Sequence, residues 1–170
     1  MTTVPLPLPA LAADCAACTA LCCLSLALDR GDQFAIDKPA GLPCPNLEGF
    51  ACGIHDKLAT AGFAGCIRYD CAGAGQRVSA FFNRDWRRDP KVTRDIMEAF
   101  RLMRDIHDTL QILDHAAKLA LSDSERSALA AELANVNRPW EIIGLDPLEV
   151  AQACAQARSF VVTLRHHFPR

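Results

Sequence analysis

The sequence predicts a mainly α protein in which an irregular, cysteine-rich metal-binding lobe packs on a small helical bundle. Two observations carry that prediction. Eight of the nine cysteines fall between Cys15 and Cys71, in the order C-x2-C-x3-C-C, then C-x20-C-x7-C-x13-C-x4-C. Beyond residue 80 the apolar residues recur at three- and four-residue steps behind well-formed helix starts, the pattern of amphipathic helices. With 170 residues, 51% of them hydrophobic, the chain has the size and apolar content for one compact unit. The expected divisions are an extended arm over residues 1–13, the cysteine-rich lobe over 14–80 and the bundle over 81–170.

Charge and hydropathy narrow the function classes. The formal net charge is −2, and residues 81–170 carry thirteen basic and thirteen acidic side chains, so no basic face calls for nucleic acid or an anionic membrane. The stretch Met1-Thr2-Thr3-Val4-Pro5-Leu6-Pro7-Leu8-Pro9 lacks positive charge and is interrupted by proline, unlike a signal peptide. The longest nearly apolar run, Ala16 to Leu28, falls well short of the roughly 20 residues of a membrane span. A cytoplasmic, reducing location is therefore expected. In such a compartment cysteines more often bind metal or react than cross-link.

Taken in order, the prolines of the arm favour extended backbone. With Asp14 as cap, a short helix would set Cys15, Cys18 and Cys22 on one face, and Cys23 about 100° away, suited to a second site. Leu24 to Leu28 and Phe34 to Ile36 read as two short strands around Asp29-Arg30-Gly31-Asp32. Residues 38–45 are loop by their proline and glycine content and deliver Cys44. Cys52 to Ala59 reads as the start of a short helix ending at Gly62. Cys66 and Cys71 flank Ile67-Arg68-Tyr69-Asp70, and Gly73-Ala74-Gly75 reads as a tight turn.

Asp89-Pro90 starts a helix with Asp as N-cap and Pro at the first helical position. Ile96, Phe100, Met103, His107, Leu110 and Ala117 extend it to about 30 residues. Ser122-Asp123-Ser124-Glu125 is a capping box opening a second helix to about Val136, with Leu129 and Leu133 inward. Arg138-Pro139 ends it. Asp146-Pro147 opens a third that runs to the end, where His166 and His167 suit the negative end of a helix dipole.

The thiolates define the chemistry. Zinc and iron–sulfur clusters both take four cysteine ligands, and eight cysteines supply two sets, or one set with four to spare. The ligand pool is Cys15, Cys18, Cys22, Cys23, Cys44, Cys52, Cys66 and Cys71. A standard zinc site would show two C-x2-C pairs, of which only Cys15/Cys18 is present, and the ferredoxin run C-x2-C-x2-C is not matched either. Spacing alone leaves the metal open.

His55, three residues after Cys52, is a candidate further ligand or hydrogen-bond donor to one. Tyr69 and Asp70, held between two ligand candidates, are the first choices for proton transfer should the centre be catalytic. His107 and His115, eight apart on the long helix, suggest either a second metal site or packed and solvated histidines. Gly73-Ala74-Gly75-Gln76 is either an anion-holding turn or a plain one. Arg84-Asp85-Trp86-Arg87-Arg88 forms a small basic, aromatic patch suited to an anionic group or a partner surface, or a helix-approach segment with a buried Trp. Cys154, between Ala151 and Ala155, reads as a small buried hydrophobe.

The run Cys15-x-x-Cys18-x3-Cys22-Cys23, with Pro43-Cys44-x-Asn46-Leu47, Cys52-Gly53-Ile54-His55 and Gly65-Cys66, resembles the bacterial YkgJ-like cysteine-rich proteins, described as zinc- or iron-chelating. A closer likeness is to the cysteine-rich N-terminal region of actinobacterial pentapeptide-repeat proteins. It is carried by Phe34-Ala35-Ile36-Asp37-Lys38-Pro39-Ala40-Gly41, Gly62-Phe63-x-Gly65-Cys66, Tyr69-Asp70-Cys71, Gly73-Ala74-Gly75-Gln76 and Arg84-Asp85-Trp86-Arg87. This resemblance covers about residues 15–115, and the present chain has no pentapeptide repeats. Flagellin lysine N-methylase shares the cysteine motif and looks like an iron–sulfur protein, although this shorter chain shows no recognisable methyl-donor site. The resemblance implies a [4Fe–4S] cluster or other iron centre, with Zn2+ as the alternative. The expected function is a cytoplasmic metal-binding protein. The alternatives are a metalloenzyme or redox enzyme acting on a small substrate or protein side chain, and a zinc-stapled protein that binds a partner protein through its bundle.

Overall fold

The computed structural model describes residues 6–82 and 85–167. Of the expectations above, the first five residues of the arm, Arg84 of the basic patch and the last three residues lie outside the described residues.

The architecture is built around α4 (Pro90–Ala116), a helix of 27 residues and therefore about 40 Å long. Asp89 caps it through Oδ1, which accepts from Lys91 N, and Pro90 occupies the first turn, where no backbone donor is needed. Its Ile96, Phe100, Met103, Ile106, Leu110 and Leu113 are all at most 1% exposed. Such burial contributes about 1.5–3 kcal/mol per side chain, so this one stripe outweighs any local preference along the chain.

On one flank lie α5 (Asp123–Val136) and α6 (Pro147–Thr163), which bring Leu129, Val136, Val150, Cys154 and Ala157 to the core. Both halves of the Ser122/Glu125 capping box are formed, and Asp146 caps α6 through Leu148 N. On the other flank α1 (Leu21–Ser25) contributes Leu21 and Leu24, and α3 (Ala74–Ser79) contributes Ala74 and Val78. The cysteine-rich part thus shares its main core with the bundle. A second, small core of Leu28, Leu58 and Phe63 gathers Phe34, Ile36, Ile54, Cys52 and Cys66. Near it stand α2 (Ala64–Arg68) and the two-residue strands β1 (Leu47–Glu48) and β2 (Ala51–Cys52), paired antiparallel.

Several local expectations are corrected. Cys15 to Cys22 is not one helix. Asp14 caps only a 3-10 turn over Cys15–Ala17, Cys18 is extended, and Ala20 is left-handed at φ 60° before α1 begins. The break persists because its polar groups are satisfied elsewhere. Thr19 N donates to Ser79 Oγ at 2.9 Å, and Trp86 Nε1 donates to Thr19 O at 2.9 Å.

The two strands expected around Asp29-Arg30-Gly31-Asp32 reduce to a single antiparallel bridge, Leu28 with Lys38, because Leu24 is used as a fully buried helical residue. Cys52 is in β2 rather than a helix start, followed by a 3-10 turn at His55–Lys57. The expected turn ends at Gly73, which is the N-cap of α3, and Ala74 and Gly75 are already helical. The Gly73 φ of +83° and the Ala10 carbonyl, 2.0 Å from where a Cβ would stand, both require glycine.

The arm packs along the domain over its described part. Gln76 bonds both ways to it, accepting from Asp14 N and donating to Ala12 O. Gln111 donates to Leu11 O, and Asn137 donates to Leu6 O and Pro7 O. Within the Gly73–Gln76 segment, the Gln76 side chain holds the arm.

Candidate metal centre

All eight cysteines of the lobe line one cavity of about 470 Å3. Cys71 reaches it from the turn between α2 and α3, Cys66 from α2 and Cys22 and Cys23 from α1. Cys44 and Cys52 come from the loop and strand that follow. All nine cysteines of the chain are free thiols. The remaining wall is largely apolar, with Leu28, Phe34, Phe50, Leu58, Phe63 and Phe100.

Packing divides the thiols: Cys18, Cys22 and Cys71 lie against the main core and Cys52 and Cys66 against the small one, with Cys44 N donating to Cys23 O at 3.0 Å. Burial, then the neighbouring Cys22, Cys18 and Cys71, pushes the Cys15 thiol up. Burial, then Cys22, Cys44 and Cys52, pushes Cys66 up to about 11. The Cys23 thiol donates to Cys22, which holds Cys22 down at about 7 against its burial; Cys23 itself is pushed far up. One group is Cys15, Cys18 and Cys71, the other Cys23, Cys44, Cys52 and Cys66, with Cys22 coupled to both. Adjacent residues of α1 point into different groups because successive helical side chains diverge by about 100°.

Two features shape the room around the sulfurs. A Cβ at Gly75 would stand 2.8 Å from Cys18 Sγ and 3.4 Å from Cys71 Sγ, so that position has space for the thiols only as glycine. Gly75 N also donates to Cys71 Sγ at 3.4 Å, and Ser79 Oγ donates to Cys18 Sγ at 3.7 Å. At Gly65 the ring of Phe34 takes the place a side chain would fill, which brings α2 and its Cys66 against the small core. Among the described residues no three of the thiols lie mutually within 4.8 Å.

Of the other candidates, His55 is exposed and stands at the cavity's edge. Tyr69 lines the cavity, with its hydroxyl buried and without a hydrogen-bond partner and the Arg104 guanidinium 4.9 Å above its ring. Burial pushes the phenol up, so it keeps its proton. Asp70 does not line the cavity. Its Oδ1 accepts from Ala13 N at 3.0 Å and Ala72 N at 2.7 Å, fixing the arm and the backbone after Cys71.

His107 and His115 do not converge. His115 is exposed, while His107 is fully buried with Nδ1 on Ala72 O and Nε2 3.2 Å from Arg77 Nη1. Trp86 is buried, and the exposed Arg87 lies over Phe50 and Trp86 at 4.7 and 5.2 Å. Cys154 is buried at 1% exposed, away from the cavity.

One site residue escaped the sequence reading. Lys38 is 4% exposed, lines the cavity, and donates through Nζ to the carbonyls of Leu42, Pro39 and Leu24 at 2.8, 3.2 and 3.4 Å. Burial pushes its ammonium down, and thiolates at Cys44, Cys23 and Cys22 oppose that shift. A buried cation beside a thiolate set offsets negative charge that the low-dielectric wall would otherwise penalise. The signal available was a lysine between bridge and loop, six residues before Cys44.

Fold and site together define a mainly α chain carrying a cysteine-lined cavity. Among curated proteins it is 36% identical, over 131 residues, to a Bacillus subtilis (strain 168) protein named uncharacterized protein YybG. The match covers 75% of this chain and 47% of the relative, so the chain spans about half that relative's length. No protein-family profile and no solved structure matches the chain. No helix among the described residues is long and apolar enough to cross a membrane.

Proposed function

We propose that the chain is a cytoplasmic metal-binding protein that holds an iron–sulfur cluster through the cysteines of the cavity, as a cysteine-rich relative of the YkgJ-like proteins. The observation that carries this reading is the convergence of eight free thiols on one cavity. The cluster would be held by four of them, from the Cys23, Cys44, Cys52 and Cys66 group or from Cys15, Cys18 and Cys71 with Cys22. When bound it would supply electron transfer or an open coordination position, and Lys38 would offset its charge. A second reading, an enzyme acting on a small substrate or protein side chain, is favoured by Tyr69, whose buried hydroxyl has a proton and no acceptor. A zinc-stapled protein that binds a partner protein is the remaining alternative.

The test is an absorption spectrum with elemental analysis on protein purified without oxygen. Absorbance near about 400 nm with about four irons per chain supports the cluster. A colourless protein with one or two zincs overturns it and moves the search for function to the helical surface. Cys18→Ser is expected to lower metal content where its group holds the centre and Cys44→Ser where the other group does, while Cys154→Ser leaves it unchanged; equal contents in all three variants would sink the ligand assignment.

A further inference from the structure

The C-terminal 3-10 turn, Leu164–His167, returns to the start of α5 and brings three ligand atoms to one point. Nε2 of His166 lies 3.0 Å, and Nε2 of His167 3.1 Å, from the same oxygen, Oε1 of Glu125. None of these residues lines the cysteine cavity.

The carboxylate is held in place from behind. Its Oε2 accepts from Ser122 N and Ser122 Oγ, each at 2.7 Å, which leaves Oε1 facing the imidazoles.

The tautomer of His166 makes the arrangement informative. Its Nδ1 is 3.1 Å from the Thr163 carbonyl oxygen. A carbonyl only accepts, so Nδ1 carries the hydrogen and the neutral ring has a bare lone pair at Nε2. That lone pair faces a carboxylate oxygen at 3.0 Å, a repulsive contact unless a cation lies between them. Histidines that ligate metals commonly donate their other ring N–H to a carbonyl in this way. Separations of 3.0–3.1 Å also match the edge of a coordination polyhedron with metal–ligand bonds of about 2.0–2.2 Å.

We propose that Glu125, His166 and His167 form a second metal site, independent of the cysteines, for a divalent borderline ion of the Zn2+ type. Two imidazoles and one carboxylate are a recognised zinc donor set, and with three protein ligands the site keeps a position open to water. His166 is 60% exposed, so that position faces solvent. An ion there clamps the C-terminal turn to the capping box of α5.

The experiment is calorimetric titration of Zn2+ into the full chain at pH 7.5, with its cysteine-bound metal already in place, alongside thermal unfolding. One further equivalent is expected to bind and to raise Tm. His166→Ala and His167→Ala should each weaken it by about tenfold or more, and the double variant should abolish it. Circular dichroism checks that these variants fold, and Cys18→Ser should retain the equivalent, which separates this site from the cavity. Binding that is unchanged in the double variant overturns the proposal. So does an absence of binding and stabilisation by Zn2+ in the intact chain.

Discussion

His107 joins the long helix to the cysteine loop, and replacing it tests that junction. Its Nδ1–H donates to the carbonyl of Ala72, the residue after Cys71, which is held at φ 52°. Its Nε2 therefore accepts from Arg77, and the ring is neutral. His107→Ala leaves a buried carbonyl without its donor, at about 1–3 kcal/mol, and strips a half-buried guanidinium of its acceptor, at about 1 kcal/mol more. The sum of about 2–4 kcal/mol corresponds to a Tm loss on the order of 10 °C for a domain of this size. His107→Asn, whose amide nitrogen replaces Nδ1, should recover more than half of that loss.

The pH dependence has a definite sign. Burial, and secondarily Arg77, pushes the His107 pKa down, against the raising effect of the Ala72 bond. The unfolded chain then binds more protons than the folded one, so stability is full above about pH 6.5 and falls as pH drops below it toward the lower folded value. Chemical denaturation at several pH values measures both effects. Equal losses for His107→Ala and His107→Asn, with an undiminished slope below pH 6.5 in both, would refute the assignment.

Gly75→Ala places a methyl 2.8 Å from Cys18 Sγ, so metal content should fall severalfold while the helical signal of the bundle persists; full metal content in a folded variant would show that the cradle is unnecessary. Lys38→Met keeps the volume but removes the cation, with three carbonyls losing a donor. Stability should fall by about 1–3 kcal/mol and any cluster should become harder to reduce, which anaerobic redox titration measures. Removing the metal by chelation should raise hydrogen exchange over residues 43–66 and leave α4 protected; uniform loss of protection would mean that the centre supports the whole fold.

The bundle was legible because each helix has its own start signal. Asp89-Pro90, Ser122 with Glu125, and Asp146-Pro147 are local, and the apolar period of α4 is long enough to mark one face. The lobe was less legible because distant side chains decide its backbone. Ser79 and Trp86 satisfy the polar groups of Thr19, so the chain leaves the helix at Cys18 although the cysteine spacing suits one. Nothing near Leu24 announces that α4 will bury it completely, and a strand was the natural reading. The eight cysteines were recognisable as candidate ligands from residue type and clustering. Their division into two groups depends on turns at Ala20, Gly62 and Gly73, where left-handed backbone redirects the chain.

The two thiol groups rest on unequal foundations, and that difference bears on how a bound centre would behave. Cys18, Cys22 and Cys71 pack on the main core through α1, α3 and α4, with Cys71 followed directly by the Asp70–Ala72 and His107–Ala72 bonds. Their geometry is supplied by helices that have an extensive core of their own. Cys52 and Cys66 pack on a core whose buried members are only Leu28, Leu58 and Phe63, and Cys44 arrives on loop backbone. So small a core offsets little of the ordering entropy of a segment rich in turns. A metal bound by Cys23, Cys44, Cys52 and Cys66 would therefore contribute folding free energy to that half. The same metal bound by Cys15, Cys18, Cys22 and Cys71 would enter a site three of whose ligands the scaffold already holds, with Cys15 arriving on the exposed 3-10 turn. The first arrangement makes the centre a structural closure, and the second leaves a largely pre-formed site whose binding energy is free for chemistry, with the Tyr69 phenol beside it.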